Sequence, residues 1–204
     1  MFVGAFSVAE VHKIAVLDLR LANADRNGSN ILARKEPDGS WLLIPIDHGY
    51  CLPGQWNDIS LGWSWWRQAA VPFDCAMREY IMHTNPEEDL AMLRDRGIYI
   101  CPESARIFKA ADMLLKQIAR RGLAPKDAAD ILERHTLRKS TMEKLHRVAC
   151  ERVAREEEGK GGPTVNSPVP GTASALPGTD AAYLKHLHTL VDEYLAELHQ
   201  TVEL

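Results

Sequence analysis

Pro37-Asp38-Gly39, set between two short apolar runs, constrains this 204-residue chain more than any other segment. Proline presets φ, aspartate bonds its own backbone two residues on, and glycine admits positive φ, so the three together make a turn. Ile31-Leu32-Ala33-Arg34 precedes it and Trp41-Leu42-Leu43-Ile44-Pro45-Ile46 follows it. Two such runs around such a turn predict a β-hairpin. A hairpin also dictates what its ends do: Asn30 leads into the first strand and Asp47 follows the second, so the two come to one place.

The flanks read as helix. Ser7-Val8-Ala9-Glu10 fits a capping box, S/T-x-x-E, ahead of Val11, Ile14, Ala15, Leu17 and Leu21 at helical spacing. This predicts a helix over about residues 8–22, with a strand at Ile14–Leu19 as the rival because β-branched residues cluster there. Asn23–Asn30, NADRNGSN, is a turn-rich loop. Tyr50–Pro72 reads as irregular and holds four of the five tryptophans. Beyond Phe73 the pattern turns helical. Pro102 and Gly122 bracket a long amphipathic helix, Pro125 opens another to about His135, and the capping box Ser140-Thr141-Met142-Glu143 opens one to about Glu157. Five glycines and four prolines between Gly159 and Thr179 predict a disordered linker. The last helix, about Asp180–Val202, carries Leu184, Leu187, Val191, Leu195 and Leu198 on one face. The expected organisation is therefore a mainly α domain with a small β-hairpin over 1–157, a Gly/Pro-rich linker over 158–179, and an amphipathic helix over 180–204. That helix docks back on the domain, binds a protein partner or lies on a membrane, the first being the ordinary case.

Composition excludes several classes. Hydrophobic residues at 46% and charged residues at 25% allow a sizeable core. No apolar run approaches about 18 residues, so no helix is expected to span a membrane. The apolar start lacks a basic n-region, which predicts a protein that is not secreted, cytoplasmic and at most peripheral to a membrane. Cys51, Cys75, Cys101 and Cys150 form no C-x-x-C pair, so zinc spacing and a redox motif are absent. A net charge of −4 gives no pull toward nucleic acid. The charge is uneven: Arg106–Arg155 holds 13 Lys/Arg against 6 Asp/Glu, +7 locally and −11 elsewhere. A solvated helical surface explains that run in most proteins, with an anionic membrane or phosphates as the functional alternative.

Three polar residues carry candidate chemistry. Asp25 and Asn30 form D-x-x-x-x-N in the loop, and Asp47 closes the hairpin in Asp47-His48-Gly49. Phosphoryl transfer by kinases uses this order: an Asp that orients the attacking hydroxyl, an Asn five residues on that binds a magnesium ion, and a second Asp that binds the ions bridging the ATP phosphates. D-x-x-x-x-N alone is weak, because a helix-to-strand turn selects the same residues. A capped helix, this loop, a tight hairpin and D-H-G in that order is a stronger signal.

HKIAVLDLRLANADRNGSNILARK followed by LIPIDHGYCLP resembles the phosphatidylinositol 3-/4-kinase superfamily, most of all the type II-like phosphatidylinositol 4-kinases of the plant and protist gamma group. Asn23, Asp25, Arg26 and Asn30 match the N-x-D-R-x-x-x-N catalytic loop; Ile46, Asp47, His48 and Gly49 match the I-D-H-G metal motif. The resemblance fades toward residue 135. It implies transfer of the ATP γ-phosphate to an inositol hydroxyl of a phosphoinositide at a membrane surface. Asp25 is then the catalytic aspartate, with Arg26 beside it steadying the loop or a phosphate. Asn30 and Asp47 hold Mg²⁺ and so the nucleotide. A loop-fixing ion pair is the commoner role for such an arginine, and Asn23 reads as a turn-former. Many relatives have Asp-Arg-His where this chain has Asp25-Arg26-Asn27, and asparagine cannot titrate.

An ATP site also needs a phosphate lid and a strand-borne lysine. About two dozen residues precede the loop, without a glycine-rich turn, and Lys13 falls in the expected helix. The chain therefore reads as the C-terminal lobe of a phosphoinositide-kinase fold with the N-lobe missing, incomplete or inactive as written. A protein Ser/Thr kinase on the same loop and a non-catalytic scaffold are the alternatives. Trp56, Trp63, Trp65 and Trp66 are expected to pack their loop on the core rather than face lipid. His12, His48, His83, His135 and His146 show no ligand spacing and read as surface histidines.

Overall fold

The computed structural model describes residues 3–56, 58–159 and 179–202, with side chains to 198. It divides into two compact units, residues 1–142 and 143–204.

In the first unit, helix α1 (Val8–Leu21) begins where Ser7 Oγ accepts the Glu10 N–H at 3.2 Å. Only half of the capping box forms. The Glu10 carboxylate instead meets Lys13 and accepts the Leu43 N–H of the hairpin at 2.9 Å. A tertiary donor wins it, and the helix is pinned to the strand beside it. The rival strand at 14–19 does not occur. Strands β2 (Ile31–Lys35) and β3 (Trp41–Pro45) pair antiparallel with Ile31 opposite Pro45 and Lys35 opposite Trp41. Glu36 O accepts from Gly39 N at 3.0 Å, and Gly39 takes φ +86°, the conformation its sequence position requires.

The stretch 50–72 is more ordered than its sequence suggests. Ser60–Leu61 is a short strand, β4, running parallel to β1 (Asp25–Arg26), and Arg67–Ala70 forms a 3₁₀ turn. Trp56 and Trp63 are buried, Trp66 stacks obliquely on Phe6, and only Trp65 is well exposed, beneath Lys126. Packing on the core accounts for three of these four indoles. Helices α2 (Cys75–His83), α3 (Pro86–Asp95), α4 (Pro102–Arg120) and α5 (Pro125–Leu132) follow. Pro102 and Gly122, the latter at φ +68°, mark the ends of α4 as expected. α4 is the axis of the unit. It packs on α1, α2, α3 and α5 through Ile107, Ala111, Leu114, Leu115 and Ile118. Buried Asp112 joins Arg20 of α1, Thr84 and Lys116 around it. His12 is no surface residue: it is 2% exposed, stacks edge-on against Phe73, and lies 3.1 Å from the Gln68 carbonyl.

In the second unit, α6 (Thr141–Glu158) runs to Glu158, so that residue is helical rather than linker. Thr179 Oγ1 accepts the Ala182 N–H at 3.3 Å ahead of α7 (Asp180–Val202), so Thr179 is part of a helix start. Gly159 N–H still returns to the Arg155 carbonyl at 3.1 Å, and the rest of the expected linker, 160–178, lies outside the described residues. The buried face of α7 is Tyr183, Leu187, Leu190, Val191 and Leu195; Leu198, expected on it, is 40% exposed. His146 Nδ1 lies 2.7 Å from the Tyr183 hydroxyl and links α6 to α7. Much of the basic run is paired: Lys109 with Glu87, Lys126 with Asp130, Arg147 with Glu151. No helix among the described residues is long and apolar enough to cross a membrane.

Candidate functional site

The site is built where α1 ends. Ala22 turns into the left-handed region, and its N–H and that of Asn23 return to α1 carbonyls. The chain then enters β1. Asp25 Oδ1 accepts from Asn27 Nδ2 at 3.1 Å, and Asn27 Oδ1 in turn accepts the Ser29 N–H, capping the 3₁₀ turn Gly28–Asn30. Asn27 is thus a fixed neutral donor to the Asp25 carboxylate. Asn30 Nδ2 donates to the Asp25 carbonyl at 3.2 Å, which leaves its Oδ1 with no donor among the described residues.

The hairpin brings the other half. Asn30 O accepts the Ile46 N–H at 2.9 Å, so the ladder continues one step past β3 and Asp47 follows at the open end. Asp47 is exposed and takes φ +53°, unusual for a residue with a Cβ. Its Oδ1 meets the Gly49 N–H at a weak 3.4 Å, and Oδ2 has no partner among the described residues. An amide oxygen and a carboxylate, both open, suit a hard divalent cation that keeps several waters. The donor chemistry of Asn30 and Asp47 therefore fits Mg²⁺. Leu32 and Ile46 are 50% and 37% exposed on the hairpin, Leu32 two residues after Asn30 and Ile46 next to Asp47, so apolar surface borders these polar groups.

Arg26 does not face this opening. Its side chain is fully buried, and all five of its N–H groups are taken. Nε and Nη2 grip the Asp18 carboxylate at 2.9–3.0 Å. Nη1 donates to the carbonyls of Asn30 at 2.9 Å and Ile46 at 2.6 Å. Nη2 also reaches His48 Nδ1 at 3.1 Å, and because guanidinium only donates, that nitrogen accepts. With every N–H engaged, none is left for a phosphate, and the bonds Arg26 makes are those of a loop-fixing ion pair. Asn23, expected as a turn-former, does donate its side-chain N–H to Asp18 as well as accepting the Asp25 N–H.

Asp18 was not singled out from the sequence, yet it is the hub: besides Arg26 and Asn23 it accepts from Trp63 Nε1 at 3.0 Å. The signal was present. Val11, Ile14, Ala15 and Asp18 lie at i, i+3, i+4 and i+7, so a carboxylate occupies the apolar stripe of α1. Glu133 was missed too. Its Oε1 accepts the Leu61 N–H at 2.7 Å, completing β4 on the side away from β1, and burial pushes its carboxyl upward from the ordinary range. Burial likewise pushes the nearby Cys51 thiol up to about 11, so it stays a thiol. No cluster of three or more His, Cys, Asp or Glu suited to a metal occurs among the described residues.

Known proteins share sequence with this chain. Residues 1–126 match the profile of the family described as phosphatidylinositol 3- and 4-kinase. The chain is 39% identical over 193 residues to phosphatidylinositol 4-kinase gamma 4 of Arabidopsis thaliana, covering 94% of this chain and 30% of that protein. It is 37% identical over 195 residues to phosphatidylinositol 4-kinase gamma 4 of Oryza sativa subsp. japonica, covering 95% and 31%. Over 138 residues it is 43% identical to phosphatidylinositol 4-kinase gamma 3 of Arabidopsis thaliana, covering 67% and 24%. The chain spans between about a quarter and a third of the length of these curated relatives. A profile match over more than half its length, on the loop and hairpin that build the site, makes the chain a member of the phosphatidylinositol 3- and 4-kinase family.

Proposed function

We propose that the site serves phosphoryl transfer from ATP to an inositol hydroxyl of phosphatidylinositol, at a membrane surface that the protein meets peripherally. One observation carries this reading: the bond from Ile46 N–H to the Asn30 carbonyl, which sets Asp47 beside Asn30 and, through the Asn30 side chain, beside Asp25. Asn30 and Asp47 would hold Mg²⁺, which when bound neutralises phosphate oxygens. Asp25, fixed on one oxygen by Asn27, keeps its second oxygen for the attacking hydroxyl. Leu32 and Ile46 offer apolar surface on which the nucleobase rests.

The test is phosphoryl transfer by the full-length protein from labelled ATP, with phosphatidylinositol vesicles and a mixed Ser/Thr peptide pool as competing acceptors. Label in the lipid, abolished by Asp47→Ala and by Asp25→Asn with unchanged melting temperature, supports the reading. Label in peptide would replace it with a protein kinase. Wild-type transfer by the Asp47 variant defeats the site, and no transfer by wild type leaves the non-catalytic scaffold in its place.

A further inference from the structure

The geometry assigns Asp18 as a positioning residue: through Arg26 it sets the spacing of Asn30 and Asp47, the two residues read above as cation ligands. The inference takes its functional meaning from that reading, but its structural test does not depend on it.

Asp18 and Arg26 are both fully buried. The guanidinium is a rigid planar fork, so whatever orients one edge orients the other. The Asp18 carboxylate takes that first edge, and Trp63 Nε1 and Asn23 Nδ2 fill its remaining acceptor positions, so its own orientation is set from three segments. The far edge of Arg26 then meets Asn30 O, Ile46 O and His48 Nδ1. Ile46 and His48 flank Asp47 on either side in sequence. Asp47 therefore sits inside a clamp with its backbone held at φ +53°, a conformation that a residue with a Cβ keeps only when its surroundings impose it. Ala22 at φ +47° and Leu52 at φ +54° show the same over-determination nearby. Leu52 N–H donates to Leu21 O at 2.8 Å and Ala24 N–H to Tyr50 O at 3.1 Å, lacing the chain after Asp47 to the end of α1.

A buried ion pair of this kind is weak evidence for stability, since an apolar replacement of similar volume does as well or better. What an apolar pair cannot do is hand one orientation from α1 to two loops. The distinction is measurable. In the full chain, amide hydrogen exchange is read at Ile46, whose N–H closes the hairpin onto Asn30, with the α4 amides of Ala111 and Leu114 as controls. Mn²⁺-induced line broadening at Asn30 and Asp47 reports cation binding separately.

Asp18→Asn is expected to speed Ile46 exchange by about tenfold or more with the α4 amides unchanged, and to weaken Mn²⁺ binding in parallel. Where that variant fails to fold because Arg26 is left unpaired, Asp18→Asn with Arg26→Gln removes both charges and is expected to show the same local loss. Trp63→Phe keeps an aromatic ring and removes only one of the Asp18 donors, leaving Arg26 and Asn23 on the carboxylate, and is expected to leave Ile46 protected, which a general packing defect around Asp18 would not. Unchanged exchange at Ile46 in a folded Asp18 variant, or exchange that rises equally in α4, overturns the assignment. Absence of Mn²⁺ binding in the wild type overturns the cation reading, while the exchange result still decides whether Asp18 positions the loops.

Discussion

Gly62→Ala tests how tightly β4 is pressed against the loop that carries Asp25. A Cβ at position 62 would lie 2.9 Å from the Arg26 carbonyl oxygen, and 3.5 Å from both Asn27 Cα and Gly28 N. All three are backbone atoms, so no side chain can rotate aside. Gly62 N–H also donates to that same carbonyl at 2.6 Å, which holds the strands together at the point of conflict. Reaching ordinary contact needs a separation of about 0.5 Å, stretching the bond or moving β1. Arg26 cannot follow freely, because all of its guanidinium N–H groups are engaged. Overpacking against fixed neighbours costs about 1–3 kcal/mol. For a unit of roughly 140 residues that is a fall in melting temperature of about 6 °C, taking ~2 kcal/mol at ~3 °C per kcal/mol. Differential scanning calorimetry of the full chain reads the shift, and nucleotide affinity is expected to drop with it, since the displaced atoms belong to the loop that carries Asp25. A melting temperature within about 1 °C of wild type would show that β4 yields freely, and the picture of a rigidly framed loop would fall.

Three further outcomes are expected. Burial raises the Glu133 carboxyl, so the folded protein binds that proton more tightly than the unfolded chain does, and ionisation costs stability as pH rises above the unfolded value of about 4.3. Glu133→Gln keeps an oxygen for the Leu61 N–H and is expected to melt higher than wild type at neutral pH, with the advantage shrinking toward pH 4; a lower melting temperature at pH 7 would refute this. Burial lowers His12 despite its bond to the Gln68 carbonyl, so the unfolded chain takes the proton first and stability is lost as pH falls below the unfolded value of about 6.5. His12→Gln is expected to flatten the melting temperature between about pH 7.5 and 5.5, and an equal slope in both proteins would move the effect elsewhere. Asn27→Asp sets a carboxylate against Asp25 where a neutral donor now stands; phosphoryl transfer is expected to fall by about tenfold or more with little change in melting temperature, and undiminished transfer would remove Asn27 from the site.

The parts of this fold that could be read ahead of the structure share one property: their determinants are local. Pro37-Asp38-Gly39 makes its turn from its own dihedrals, Ser7 caps α1 three residues on, and Pro102 and Gly122 delimit α4. Strand β4 has no such signature. Two residues cannot declare a period, and Ser60–Leu61 is a strand because Ala24 and Arg26 on one side and Glu133 on the other accept its N–H groups and those of Gly62. Glu10 marks the limit from the other direction. Its local box is correctly spelled, yet the carboxylate is taken by the Leu43 N–H of the hairpin and by Lys13, and the tertiary donor prevails.

Arg26 shows why the site itself was only half readable. An Asp-Arg pair in a loop is compatible with an arginine that binds phosphate and with one that binds its own scaffold, and both explain the residue equally well from sequence. Burial separates them, and burial of Arg26 depends on a carboxylate waiting inside the core to receive it. That carboxylate is Asp18, visible as a charged residue on an apolar helical stripe. A charge in such a position implies a buried partner, because an unpaired one would be far too costly to keep. Asp18 and Arg26 each look anomalous alone. Taken together, the charge on the stripe and the cation eight residues later predict each other, and the pair locates the frame on which Asn30 and Asp47 are hung.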